Sequence, residues 1–296
     1  MTKRRKKLRL IPSHLPLLKQ QLITFKRHVI RTIETQKPEA TEEAWFQEAL
    51  REAWDNEESL SSAALWWVSR DMTMLAVDTA KNGDFPYLEV PTATGFVVFE
   101  DGLPVDVDWI ALAAIPRTVA LAWAVQRPSA DGEIPILLTS YTDDPDLLKR
   151  YGADKAGLPL METPFDVDVF NASLETRVYR DILHAVWALS TQPRICETRP
   201  AQPSRTDPLP ARFDGDIRKV KMLVLRENLH RPGGKTPDGE RKYAEYSHRF
   251  IVRGFFREQP YGTNHSLRRR QWIPPFVKGP ADKPLVCKET VRIWKR

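Results

Sequence analysis

Between residues 85 and 141 the chain passes through five short apolar or alternating stretches with no helical segment among them. They cover 85–90, 95–100, 105–114, 119–126 and 134–141. Pro and Gly punctuate them, as in DGLP at 101–104 and DG at 131–132. Strands joined in succession without helices favour an antiparallel meander. That implies an α+β fold rather than a doubly wound α/β one.

Helical spacing flanks this stretch. Leu18, Leu22, Phe25, Val29 and Ile33 recur every three or four residues, which predicts a helix over 16–36 that Lys37-Pro38 ends. Thr41 is placed to cap a second helix, with Glu42 and Glu43 in its first turn and Trp45, Ala49 and Ala53 on one face. Leu65, Val68, Met72 and Leu75 predict a third helix over 59–80, stopped by Asn82-Gly83-Asp84. Beyond the meander, 144–151 reads as a short helix. Residues 171–191 read as a long one, lined by Leu174, Val178, Ile182, Ala185, Val186 and Leu189. Residues 192–216 are rich in Pro and polar residues and read as a linker or a surface crossing. A strand follows at 220–226, then a loose loop at 230–239, then strands at 247–257, 269–277 and 289–295. The expected organisation is a disordered basic arm (1–13), an acidic helical and α+β body (14–191), the Pro-rich linker (192–216) and a basic β-rich C-terminal region (217–296). The expected fold is therefore α+β, with N-terminal helices, an antiparallel sheet, a long helix and that C-terminal region.

Charge follows the same division. Residues 217–296 carry 20 Lys and Arg against 7 Asp and Glu, a balance of +13. Residues 11–216 balance to −13, and the first ten residues carry +6. Clustered cations of this kind steer and bind anionic partners. The arm, with Lys3, Arg4, Arg5, Lys6 and Lys7, reads as a contact for RNA, DNA or ribosome, or as a solubilising tail. No apolar run approaches the roughly 20 residues that cross a bilayer, and the stretch after the arm is too interrupted for a signal-peptide core. The only cysteines, Cys196 and Cys287, have no metal-site or disulfide spacing. A reducing cytoplasm is the expected compartment, with no membrane partner.

Catalytic chemistry finds little support. Asp106-Val107-Asp108 and Asp166-Val167-Asp168 would each point two carboxylates to one face of a strand, as a metal-dependent nuclease requires. The same triplets fit a solvated strand edge or loop, and no His or Glu accompanies them at a supporting spacing. GGKT at 233–236 superficially resembles a phosphate loop. It lacks the four residues between glycines, and Pro237-Asp238-Gly239 follows where a helix should begin. No histidine pair has metal-ligand spacing, no serine sits in a nucleophile elbow, and neither cysteine has an evident base. The expectation is a non-enzymatic protein without metal or cofactor.

The C-terminal region alternates arginine with aromatic and β-branched residues. If 249–257 is one extended strand, Arg249, Ile251, Arg253, Phe255 and Arg257 share a face. Such a row would grip phosphates, or peptide carboxylates, in bidentate fashion. Arg268, Arg269 and Arg270 add a second cluster, and Tyr261, Trp272 and Phe276 supply stacking surfaces. The alternative is that these arginines pair with the acidic body and that the aromatics are core.

Three motifs here carry a resemblance: HRFIVRG at 248–254, QPYG at 259–262 and RQWIPPFVKG at 270–279. The run resembles the C-terminal signature of a family carried by phages, plasmids and other mobile elements, which includes an anti-CRISPR protein acting on type V-A systems. Weaker echoes lie at LEVP (88–91), GFVVF (95–99) and the long helix ending near Thr191. Phe255 and Phe256 stand where the family pattern has His-Trp, which keeps aromatic packing at 255 but no proton-transferring group. The resemblance implies a non-catalytic inhibitor that recognises the nascent N-terminal peptide of its target during translation and causes loss of the message. The implied partners are a nascent polypeptide, with ribosome or mRNA. His248, Arg249, Arg253, Phe255, Tyr261, Arg268, Arg270 and Trp272 are the expected peptide-binding residues or their frame. A nucleic-acid-binding regulator is the alternative, and a metal-dependent nuclease the third.

Overall fold

A computed structural model describes residues 8–36, 44–83, 85–86, 90–104, 117–126, 135–163, 172–226, 247–280 and 283–286. The expectations at 1–7, Thr41, 105–114, both Asp-Val-Asp triplets, the 230–239 loop, Cys287 and 289–295 lie outside them. The architecture is α+β. The helices are α1 (Leu15–Gln36), α2 (Ala44–Ser62), α3 (Arg70–Asn82), α4 (Pro145–Arg150) and α5 (Ala172–Ser190). The strands are β1 (Ala64–Val68), β2 (Thr94–Phe99), β3 (Thr118–Val125), β4 (Ile136–Thr142), β5 (Met161–Glu162), β6 (Cys196–Pro200), β7 (Lys221–Leu225), β8 (Phe250–Val252), β9 (Phe255–Tyr261), β10 (Leu267–Ile273) and β11 (Phe276–Lys278).

Two compact units divide the chain, each discontinuous in sequence. The first comprises Met1–Arg70, Glu89–Arg180 and Thr198–Leu223; the second comprises Asp71–Leu88, Asp181–Glu197 and Val224–Arg296. The main sheet has the order β5-β4-β3-β2-β1-β7-β6. From β2 through β5 it is the expected antiparallel meander. The sheet as a whole is mixed, because β1 runs parallel to both β2 and β7.

β1 corrects the helix expected over 59–80. Leu65 and Val68 do stand at helical spacing from Met72 and Leu75, yet the chain leaves α2 at Ser62, makes β1, and starts α3 at Arg70. Ala64-Leu-Trp-Trp-Val is a short, aromatic, continuously apolar run, buried on both faces as a central parallel strand requires. Periodicity alone does not distinguish such a run from a buried helix segment. Of the strand expected over 85–90, the described residues 85, 86 and 90 are not in a strand.

Within the first unit, Leu15, Leu18 and Leu22 of α1 and Leu60 of α2 cover one sheet face through Leu65, Trp67, Phe96, Val98 and Tyr141. α1 and α2 run antiparallel: Lys19 meets Ser61 and Ala63, Arg27 meets Glu57, and Trp54 meets Glu34. Lys19 Nζ donates to the Ser61 and Ala63 carbonyls, at 2.9 and 3.1 Å, where α2 runs out of intrahelical donors. Burial, then the nearby Lys219 charge, pulls the Lys19 ammonium below the usual lysine range. The face of α2 that carries Trp45, Ala49 and Ala53 is not its buried one. Phe46, Glu57 and Leu60 are buried, while Trp45 is 62% exposed. At α4 the side chain of Asp144 accepts from the Asp146 and Leu147 amides, and Pro145 opens the first turn. Residues 192–216 contain β6 as well as the buried Ala201 and Asp207.

Tyr141 is buried beneath α1, and burial followed by the Glu162 carboxylate pushes its phenol well above 10.0. The unfolded tyrosine ionises near 10.0 while the folded one keeps its proton. Its contribution to stability is therefore complete below that pH and is lost as pH rises beyond it. Urea midpoints between pH 9 and 11 should fall more steeply for the native chain than for Tyr141→Phe; parallel slopes would contradict this assignment.

In the second unit, α3 buries Met72, Leu75 and Ala76. α5 is buried on every side from Ile182 to Leu189, not along one stripe as expected. An apolar helix enclosed all round needs no polar face. His184 lies in this segment with its ring 4.9 Å from that of Trp187, and His28 is exposed on α1.

Candidate functional site

The C-terminal strands form two short antiparallel pairs that share one register. Phe255 pairs with Ile273 in β9–β10, and Val252 pairs with Phe276 in β8–β11. Counting along both strands, Arg253-Gly254 then falls opposite Pro274-Pro275. Proline has no N–H to donate, so the ladder breaks there. Gly254 permits the close approach at the break: a Cβ on it would lie 2.7 Å from Pro275 Cδ and 3.0 Å from the Ile273 carbonyl oxygen. The expected strands over 247–257 and 269–277 are therefore each divided in two. The single row of Arg249, Ile251, Arg253, Phe255 and Arg257 does not form.

Arg249 belongs to the root of this assembly. Its side chain is 17% exposed and pairs with Asp71 at 2.7 Å. Its Nε donates to the Lys283 carbonyl, and its backbone bonds the Pro284 carbonyl and the Val286 amide. This fits the alternative in which an arginine is neutralised by the protein's own carboxylate. Arg253 is exposed at the break. Burial pushes the Asp78 carboxyl up, and the charge of Arg253 opposes that shift, as do Lys81 and Asn82. His248 is half-buried; its ring lies 6.2 Å from Phe250, and Nδ1 lies 3.1 Å from Ser247 Oγ.

Past the break, β9 and β10 form a two-stranded ribbon without a buried residue. Gly262, Asn264 and His265 adopt left-handed φ in the turn that closes it. The register sorts its side chains. One face holds Phe255, Arg257, Gln259 and Tyr261 opposite Ile273, Gln271, Arg269 and Leu267. On it Phe255, Tyr261 and Leu267 are 48%, 42% and 51% exposed, and the Arg269 guanidinium lies 5.8 Å from the Tyr261 ring centre. The other face holds Phe256, Glu258 and Pro260 opposite Trp272, Arg270 and Arg268. There Arg270 stacks on Phe256 at 4.2 Å, and Trp272 is half-buried. Cation–π contact holds a guanidinium in place without neutralising it.

Among the described residues no ion pair occupies Arg257, Arg268, Arg269 or Arg270. Of the expected site residues, the ribbon gathers Phe255, Tyr261, Arg268, Arg270 and Trp272. It leaves His248, Arg249 and Arg253 at its root. It adds Arg257 and Arg269, which the arginine row and cluster had marked in sequence, and Phe256 and Leu267, which only the cross-strand register selects. Among the described residues no group of three or more His, Cys, Asp or Glu side chains is placed to hold a metal ion. No helix among them is long and apolar enough to cross a membrane. Comparisons with models of known protein families, with curated proteins and with solved structures found no match.

Proposed function

We propose that the protein is a non-catalytic binding protein that grips RNA on the β9–β10 ribbon and lowers expression of a target gene during translation. The observation that carries this reading is the ribbon's four exposed arginines, free of ion pairs among the described residues and interleaved with exposed aromatic side chains. Guanidinium groups match phosphate geometry, and they keep their charge at any physiological pH. Phe255 and Tyr261 are exposed aromatic side chains, a feature that favours stacking with unpaired bases over reading duplex edges. A two-stranded ribbon also has the width of a DNA major groove, which supports duplex DNA as the second reading. The translational setting comes from the resemblance at 248–279. In that setting an extended segment of the target's nascent chain is the partner that would supply gene specificity.

Fluorescence anisotropy with a single-stranded RNA across a salt series tests the proposal. The logarithm of affinity should fall linearly with the logarithm of salt, at a slope of about −0.7 for each phosphate held. RNA should also compete against duplex DNA of equal length. Affinity indifferent to salt would end the RNA reading, and preference for the duplex would select the second.

A further inference from the structure

The apolar stripe of α1 continues past the sheet that it covers. Leu15, Leu18 and Leu22 are at most 3% exposed, whereas Val29 and Ile33 on the same stripe are 36% and 40% exposed. Among the described residues the sheet ends at β5, its edge strand. Beyond it lies an open trough of about 510 Å³ within the first unit, walled by Phe25, Val29 and Ile33 of α1, Ala49 and Ala53 of α2, and Tyr151. Alanines at four-residue spacing leave α2 without the bulk to close the trough.

Polar groups on its floor point to the kind of occupant. The Thr163 amide donates to the Ser140 carbonyl at 2.9 Å, and Met161 stands opposite Thr142. Antiparallel alternation then turns the N–H and C=O of Glu162 away from β4, toward the open edge. Thr163 Oγ1, also on the trough, is buried with no hydrogen-bond partner among the described residues. A lipid chain or the apolar face of a helix would leave these groups unsatisfied, at a cost of about 1–3 kcal/mol each. A peptide strand would satisfy them with its own backbone. Charge narrows the choice further. Of the charged residues lining the trough, Lys26 is paired with Glu162 at 2.6 Å, which leaves Glu52 on the acidic α2 without an ion pair among the described residues.

We propose that the trough binds an extended peptide with alternating apolar residues and a flanking lysine or arginine. The peptide adds to β5 as a further strand and sets its apolar side chains beneath α1 and α2. The trough belongs to the first unit and the ribbon to the second, and this proposal does not depend on RNA binding at the ribbon.

The test uses the full chain and a fluorescein-labelled synthetic peptide of alternating valine and threonine flanked by lysines, followed by anisotropy. Saturable binding is expected. N-methylation of alternate peptide amides, which removes strand hydrogen bonds, should weaken it at least about tenfold. Ile33→Glu and Ala53→Trp should abolish it while RNA affinity, measured in parallel, stays unchanged. Thr163→Val, which exchanges the hydroxyl for a methyl group of similar size, should weaken it about fivefold and serves if the larger changes unfold the chain. No binding up to about 1 mM peptide would overturn the proposal. Equal affinity of the N-methylated peptide would overturn it as well and assign the trough to an apolar ligand.

Discussion

Replacing Arg268, Arg269 and Arg270 together by glutamine is expected to lower RNA affinity about 100-fold or more, with the fold intact. All three side chains are exposed, and among the described residues none holds an ion pair. Arg269 and Arg270 meet aromatic rings, at 5.8 and 4.2 Å, contacts whose loss at exposed sites costs about 0.5–1 kcal/mol each. The strand pairing of β9 and β10 is made by backbone and survives the change. Removing three phosphate contacts from a single strand should also flatten the salt slope by about 2. Anisotropy titrations at several salt concentrations measure both numbers, and circular dichroism verifies the fold. An unchanged slope with reduced affinity would mean that the arginines act through the ribbon's shape and not through phosphate. Unchanged affinity would move the nucleic-acid surface elsewhere.

The sequence made much of this chain legible through local signals. α1, α5 and β2 to β4 follow from apolar spacing and from Gly and Pro between the strands, and 144–151 reads as the short helix α4. β1 was illegible because its partners are remote. β2 and β7 bracket it in parallel, and β7 begins at Lys221, more than 150 residues along the chain. A run whose burial is decided by such partners carries no period of its own. The candidate ribbon was legible in composition but not in geometry. Arginine and aromatic residues marked 249–273, yet which of them share a face depends on pairing across Gly262. The neutralisation of Arg249 depends on Asp71, 178 positions earlier, and no spacing rule connects the two. The trough was hidden for a related reason. Val29 and Ile33 continue a regular apolar stripe, and only the end of the sheet at β5 leaves them open.

Gly95→Val is expected to destabilise the protein by about 4 kcal/mol, the largest loss from a single substitution considered for this chain. Gly95 stands opposite Trp123 in the β2–β3 ladder, and a Cβ on it would fall 2.1 Å from Trp123 Cζ2. The obstacle is the ring itself and not a flexible chain end. The indole is held on several sides: Trp123 is 2% exposed, its Nε1 donates to the Thr92 carbonyl at 3.0 Å, and its ring tilts against Trp66 at 6.2 Å. Trp66 in turn carries the Lys221 ammonium at 4.7 Å. A branched side chain at 95 must therefore expel the indole or push β2 and β3 apart. Expulsion loses a buried aromatic and a hydrogen bond together, and separation opens the β2–β3 ladder one pair from its end. Either loss consumes about a quarter or more of a typical stability of about 5–15 kcal/mol. Trp123→Leu alone should cost about 2–3 kcal/mol through the vacated volume. With both changes the valine occupies that volume, so the double variant should be more stable than the sum of the two losses by about 1 kcal/mol or more. Urea denaturation of the three variants measures the coupling. Strict additivity would mean that Gly95 is required by the backbone and not by the ring beside it.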